Sequence, residues 1–460
     1  MRDETEIADF DLQSLAEQLR SRELRASDLV EACLTRIVEH RDLNAFILVL
    51  ADSARAEAAR ADQEIAQGRY RGPLHGIPIS LKDLIDVAGV PTTAGSRVRE
   101  GHLASSDAPV VSRLRHAGAV IIGKTNLHEF AFGTTTEDSA HGPAHNPHDP
   151  SRSPGGSSGG SGIAVATGMS VASLGTDTGG SIRIPSAACG IVGLKPTVGE
   201  IPTEGVVPLS YTLDHVGPMA RTVTDAALVF DALKSERHTA GWEPLDRRLR
   251  FVVPAPFYLE RLDAQVRKCF EEVCNRLRID GHRVVEGSIE NAGLVPAVYL
   301  HIVMAEAAAY HARTLDSMPE KYVPAVRLRL EMGRYVLGED YVRAMRGREH
   351  LRQAVDAALW DADALLLPSL AIPAPPLGAN SIDVGGSKEP VRAITLRLTQ
   401  TFNITGHPAL SMPMGRTSEG LPCGCQLVGR FGATRELLRT ALACEAQIGA
   451  GPGSVGGGTG

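Results

Sequence analysis

The sequence predicts an α/β protein built on a mixed β-sheet buried on both faces. Three observations carry that reading. Short apolar runs bounded by glycine turns recur from residue 77 onward, helical periodicities separate them, and a chain of 460 residues with 43% apolar residues is long enough to bury a large core.

Taken in order, the first 65 residues read as helices. Ser27 is placed to cap a helix whose apolar positions Leu29, Val30, Cys33, Leu34, Ile37 and Val38 recur at helical spacing. The strand candidates are "IPISL" (77–81), "AVII" (119–122), "SVASL" (170–174), "RFVV" (250–253), "ALLL" (364–367), "ALSM" (409–412) and "CQLV" (425–428). Between about 255 and 360 the pattern turns helical and richer in Arg and Glu. It reads as an excursion that interrupts the sheet and covers the site, not as a separate domain. Residues 371–390 form a Pro/Gly loop with little intrinsic structure, and "GAGPGSVGGGTG" (449–460) is a low-complexity tail. The expected organisation is N-terminal helices over 1–65, a main domain over 66–448 with a variable helical region at about 235–360, and a flexible tail over 449–460.

Composition excludes several function classes. A net charge of −7 argues against broad electrostatic binding of nucleic acid or an anionic membrane, and the densest basic cluster (343–353) reads as a solvated helix face. No run approaches the ~20 apolar residues of a membrane span. Seven cysteines form no disulfide framework and suit reduced thiols; with an acidic N-terminus lacking an apolar core, a cytoplasmic setting is expected.

Two motifs mislead. "GAVIIGKT" (118–125) matches the phosphate-loop pattern letter for letter, but its intervening residues are an apolar β-type run, not a turn presenting N–H groups to phosphates. Lys124 then reads as a structural residue at a strand end. "HGPAHNPH" (141–148) spaces His141, His145 and His148 as ligands on a helix, which Pro143 and Pro147 make improbable.

The chemistry concentrates in two small-residue loops, "SPGGSSGGSG" (153–162) and "GTDTGGSIR" (175–183), both carrying serines. In the second, the N–H groups of Thr178, Gly179, Gly180 and Ser181 are placed to converge on one point, as a nest that stabilises the oxyanion of an attacked carbonyl. A helix start at Ile184-Pro185-Ser186 adds to that field. Asp177 and Arg183 bracket the nest and read as a structural ion pair. Ser181 lacks a G-x-S-x-G setting, so its base must come from elsewhere. Lys82, flanked by Ile77, Ile79, Leu81 and Leu84, is a candidate because burial favours the neutral amine; Asp83 is its obvious alternative partner.

The block "GGSSGGSGIAVATGMSVASLGTDTGGSIRIPSAACGIVGLKPT" (155–197) closely resembles the glycine/serine-rich segment of the amidase signature family. The resemblance extends to "LHGIPISLKDLIDVAGVPTTAGS" (74–96), "GKTNLHEFAFG" (123–133), "LDHVGPMARTVTDAA" (213–227), "TGHPALSMPMG" (405–415) and "LPCGCQLVGR" (421–430), and is weakest between 235 and 360. It implies one large mixed, mainly parallel sheet flanked by helices on both faces, and a Ser–cis-Ser–Lys triad. By that resemblance Ser181 is the nucleophile, Ser157 the bridging residue joined to Gly156 by a cis peptide bond, and Lys82 the base, with Ser158, Asp177 and Arg183 in support. The expected activity is hydrolysis of an amide in a small molecule through an acyl-enzyme. The alternatives are carbamate or aryl ester hydrolysis, or the role of a glutaminase-type subunit in an amidotransferase complex. Neither cofactor nor metal is expected, and the protein should be a monomer or homodimer.

The chain departs from the family at His141-Gly-Pro-Ala-His145-Asn-Pro, where "GPTRNP" is usual, and at "KPTVGEIPTEG" (195–205), which points away from the partner-dependent role. The pocket is expected from 130–140, the helical region and the 371–400 loop. Phe130, Phe132, Tyr299, Tyr310, Ile302 and Met304 hint at an apolar wall, and no decisive anion or cation site stands out.

Overall fold

The computed structural model describes residues 10–235 and 242–449. Its strands are β1 Phe46–Val49, β2 Pro78–Lys82, β3 Val120–Thr125, β4 Ala172–Thr176, β5 Val192–Lys195, β6 Val216–Ala220, β7 Arg250–Pro254, β8 Arg283–Gly287, β9 Ala364–Pro368, β10 Ser381–Val384, β11 Ser387–Pro390, β12 Ala409–Arg416 and β13 Pro422–Val428. Eleven form one sheet in the order β1-β3-β2-β4-β6-β5-β12-β13-β9-β7-β8, while β10 and β11 pair with each other.

Parallel pairing joins β3, β2 and β4 on one flank and β9, β7 and β8 on the other. From β4 through to β9 the pairings are antiparallel, as is that of β1 with β3. The large mixed sheet with helices around it is the expected architecture; the mainly parallel pairing implied for it holds at the flanks, and the centre departs from it. Connections explain where. β12 and β13 are joined by a tight turn closed by Thr417 N donating to the Leu421 carbonyl at 2.8 Å, which antiparallel neighbours permit. β2 to β3 and β7 to β8 cross over through the helices Pro109–His116 and Ala264–Ile279, as parallel neighbours require.

Both faces are covered. Leu410 and Met412 of β12 pack with Val266 and Phe270 of the helix Ala264–Ile279 and with Leu437 and Leu438 of the helix Thr434–Gly449. On the other face, Gly424 of β13 lies against Ala187 of the helix Arg183–Cys189, where a Cβ would stand 2.5 Å from the Ala187 methyl. A separate apolar cluster joins the helices Val295–Ser317, Pro324–Gly333 and Gly338–Ala358 to Phe130 and Phe132.

Several local expectations change. The helix Ala26–Glu39 starts one residue before Ser27, and its cap comes from a neighbouring helix: Asp62 accepts from Ala26 N at 2.6 Å and Ser27 N at 3.1 Å. The excursion after 255 is not wholly helical, because β8 returns to the main sheet beside β7. Within 371–390, β10 and β11 form a hairpin whose turn uses Gly385 (φ 62°) and Gly386 (φ 82°), a backbone that glycine adopts without strain. The helical stretch Ala292–Ser317 is long and apolar enough to cross a membrane by length and composition, contrary to the reading of the sequence, but most of its apolar window is packed inside the molecule. All seven cysteines are buried and free. The tail expected over 449–460 lies, beyond Gly449, outside the described residues.

Candidate active site

Lys82 ends β2, which is buried along its whole length between β3 and β4. Its Nζ donates to Ser157 Oγ at 2.7 Å and to Thr176 Oγ1, at the end of β4, at 2.8 Å. Burial pushes this amine down from 10.5 to about 7, and the charges of Asp214 and Asp177 oppose the shift only in part. Asp83, its alternative partner, belongs instead to Lys124, with 2.9 Å between Oδ1 and Nζ.

Ser157 follows Gly156 across a cis peptide bond. Close approach explains the glycine: a Cβ on Gly156 would stand 2.7 Å from Thr135 N. The first serine loop runs directly into the helix Gly159–Ala166, and its junction to the second loop is short. Ser158 N donates to the Ser181 carbonyl at 3.3 Å, and Ser158 Oγ to the Thr176 carbonyl at 3.2 Å.

The second loop leaves β4 and enters the helix Arg183–Cys189, which begins a residue before the expected Ile184. Ser181 is 5% exposed. Among the described residues, the N–H groups of Thr178, Gly179, Gly180 and Ser181 donate to no acceptor of the protein, although the neighbouring Asp177 N and Ile182 N both do. Thr399 Oγ1 holds the loop from outside by donating to the Gly179 carbonyl at 2.6 Å. A Cβ on Gly179 would fall 2.4 Å from the Tyr299 hydroxyl, so that phenol closes over the loop.

Asp177 and Arg183 form the ion pair read from the sequence. Arg183 Nη2 meets Asp177 Oδ1 at 2.9 Å and Nε meets Oδ2 at 3.0 Å, both residues fully buried. Every side of the pair is used: Arg183 also donates to the Thr399 carbonyl, Gln426 Oε1 and Asn403 Oδ1, and Asp177 accepts from Asn403 Nδ2 and Ile182 N. Burial alone would raise the Asp177 carboxyl; the guanidinium holds it well below the usual range.

Sequence reading missed Asp214. It accepts from Thr178 Oγ1 at 2.6 Å and from Leu209 N and Ser210 N at 2.9 and 3.1 Å, and burial lifts it to about 6. Ser210 Oγ donates in turn to Glu306 on the helix Val295–Ser317, which Tyr341 also reaches at 2.9 Å. A cavity of about 360 Å³ opens here, lined by Thr176, Thr178, Asp214, Tyr310 and the 203–211 segment. Of the expected pocket residues, Tyr310 lines it, while Phe130, Phe132, Ile302 and Met304 lie in the core under the helices and Tyr299 lines a second cavity of about 230 Å³.

The misleading motifs resolve simply. "GAVIIGKT" contains β3, and Lys124 donates to the Pro91 carbonyl and Thr92 Oγ1 besides pairing with Asp83. His141, His145 and His148 turn to three partners, Thr93 Oγ1, the Pro150 carbonyl and the Cys189 carbonyl. Among the described residues, no cluster of three His, Cys, Asp or Glu side chains is placed to hold a metal.

Comparison with known proteins agrees with this architecture. The family model described as Amidase matches residues 28–438. The chain is 40% identical to an amidase of Pseudomonas putida, over 94% of this chain and 95% of that one. It is 38% identical to a glutamyl-tRNA(Gln) amidotransferase component of Anaeromyxobacter sp. (strain K), over 96% and 97%. Among solved structures, one described as a crystal structure of amidase superimposes with a TM-score of 0.91 at 40% identity, covering 96% of this chain and 100% of that one. Fold and relatives together define an enzyme that hydrolyses C–N amide bonds. The chain belongs to the amidase signature family.

Proposed function

We propose that this enzyme is a serine amidohydrolase that cleaves the amide bond of a small molecule through an acyl-enzyme on Ser181. The observation that carries the reading is the 2.7 Å contact from Lys82 to Ser157, made by an amine that burial brings to about 7 and that no carboxylate among the described residues touches. Such an amine is partly neutral near pH 7 and serves as a base.

Neutral Lys82 takes a proton from Ser157 Oγ as Ser157 takes one from Ser181 Oγ. Ser181 Oγ attacks the amide carbon, and the N–H groups of residues 178–181 receive the oxyanion. The intermediate collapses with cleavage of the C–N bond, the proton returning through Ser157 to the departing amine. Water then attacks the ester, and the same relay carries its proton back to Ser181. Asp177 and Arg183 hold the loop in shape without touching substrate. The seven unpaired buried thiols support a cytoplasmic setting.

The test is intact-protein mass after phenylmethylsulfonyl fluoride, with Ser181→Ala and Lys82→Ala alongside, followed by anilides, primary amides and aryl carbamates. One adduct on the wild type, lost in Ser181→Ala, supports the assignment; full amide turnover by Ser181→Ala overturns it. Lys82→Ala should damage amide hydrolysis more than ester hydrolysis, since an amine leaves poorly without a proton. Carbamate or aryl ester preference would show in the same panel. Similarity to a component of an amidotransferase favours one further reading, a glutaminase dependent on a partner, which predicts no turnover by the chain alone.

A further inference from the structure

The cavity of about 230 Å³ beside Tyr299 is lined by an arginine that has no hydrogen-bond or ion-pair partner among the described residues. It lies between the helix Val295–Ser317 and the helix Val391–Leu396, and Arg392, Arg397 and Glu389 reach it. Two of these are engaged. Glu389 pairs with Arg261, and Arg397 donates to the Phe257 carbonyl and pairs with Glu260 at 3.4 Å. Arg392 differs. Among the described residues its guanidinium has no hydrogen-bond or ion-pair partner, and its Nε is enclosed and unsatisfied. Beside it lies the face of Phe132, with 5.5 Å from the guanidinium carbon to the ring centre.

A second guanidinium stands nearby. Arg329 stacks on the same ring at 5.9 Å and donates to the Phe132 carbonyl at 2.7 Å. Burial and Arg392 both lower its proton affinity, with only Asp138 opposing them. Both arginines keep part of their surface exposed, but Arg392 Nε is closed off from solvent, and an enclosed polar group without a partner forfeits its hydration without return. The pair Asp177–Arg183 shows how completely this chain satisfies an arginine whose role is structural.

The cavity also adjoins the loop that carries Ser181. Tyr299 lines the same cavity, its hydroxyl hydrogen-bonds to nothing among the described residues, and that hydroxyl abuts Gly179 in the oxyanion loop. Leu396, also a lining residue, stands 3.0 Å from the Cβ that Gly179 lacks.

We infer that this cavity receives the far end of the acyl group, and that Arg392, with Arg329 behind it and Tyr299 beside it, binds a carboxylate there. The substrate class is then the half-amide of a dicarboxylic acid. This rests on the acyl-enzyme reading above. A guanidinium fork matches a carboxylate bidentately, and an aromatic floor fixes its plane. Phe132 provides that floor, and the small cavity suits a carboxylate at the end of a short chain.

The test separates binding from reaction. Glutarate binding to Ser181→Ala protein is measured by calorimetry, then to the same protein carrying Arg392→Gln or Arg392→Lys. Saturable binding that falls at least about tenfold in Arg392→Gln and less in Arg392→Lys supports the inference. Glutarate binding that is absent, or that is equal in all three, overturns it. On active enzyme, the monoamides of succinic, glutaric and adipic acids are compared with neutral primary amides of the same length. The anionic series should be preferred by about tenfold or more in kcat/KM, mostly through KM, and Arg392→Gln should bring the ratio towards unity. A wild type that favours the neutral series overturns the inference. Failure of the acyl-enzyme reading would look different: turnover would survive in Ser181→Ala while glutarate binding stood unchanged.

Discussion

The ends of β2 and β3 lie side by side, and each carries a lysine with no exposed surface. Lys124 on β3 is met by the Asp83 carboxylate at 2.9 Å and by two further oxygens. Among the described residues, Lys82 on β2 meets only two hydroxyls, at 2.7 and 2.8 Å. Burial lowers both amines, but at Lys124 the adjacent carboxylate acts against it. One strand end is therefore an ion pair that locks the 91–93 turn to the sheet. The other is an amine brought towards its neutral form, as the proposed role of base requires. Equal burial thus yields opposite roles, and the neighbour decides which.

Exchanging each lysine for methionine tests the contrast most strongly. Lys82→Met should reduce amide kcat by about 10³-fold or more while leaving stability in urea equal or higher, because an apolar side chain replaces a buried amine. Lys124→Met should do the reverse: Asp83 is left buried and unpaired, at a cost of about 3–5 kcal/mol read by urea unfolding. Activity loss without destabilisation in Lys124→Met would break the comparison.

The pH profile sharpens it. Wild-type kcat/KM should climb about tenfold per pH unit below about 7 and level above it, as Lys82 sheds its proton. The stability effect has the same direction. Lys82 loses its proton near 7 when folded and near 10.5 when unfolded, so between those values the unfolded chain binds more protons and this group's contribution grows with pH. A rising stability limb that survives Lys82→Met would assign it to another residue.

Two smaller effects probe the surroundings. Gly179→Ala places a Cβ 2.4 Å from the Tyr299 hydroxyl and should cost about 1–3 kcal/mol, with a larger fall in kcat than in thermal stability. Tyr341→Phe removes one hydrogen bond to Glu306 and should lower stability by about 1 kcal/mol.

Much of this was legible in the sequence. All seven apolar runs became strands, because a short β-branched or leucine-rich run between glycines has few other ways to be buried. β5 (VGLK) and β6 (VGPMA) were hidden, since glycine and proline inside them read as turns and only their neighbours make them strands. Ser181 and Lys82 were raised as candidates from the residues around them, whereas Ser157 and the triad itself came from resemblance; periodicity alone offers no reason for a lysine to meet a serine 75 residues away. Asp214 and Arg392 were not found. Whether an acid or an arginine is paired depends on what packs around it, and residues 299, 329 and 392 meet only through tertiary structure.

The ties around Arg183 have a consequence for how the enzyme is made. Its guanidinium is completed by Thr399, Asn403 and Gln426, between 216 and 243 residues further along. While a ribosome is still extending the chain through the 300s, the segment around Ser181 has long since emerged, yet the groups that fix its shape do not exist. Protein synthesis proceeds N-terminus first, so the loop waits for nearly the whole polypeptide. A message cut short before codon 426 would therefore yield a product whose serine lacks its full brace. Late closure of this kind leaves the loop around Ser181 without its fixed shape on incomplete chains.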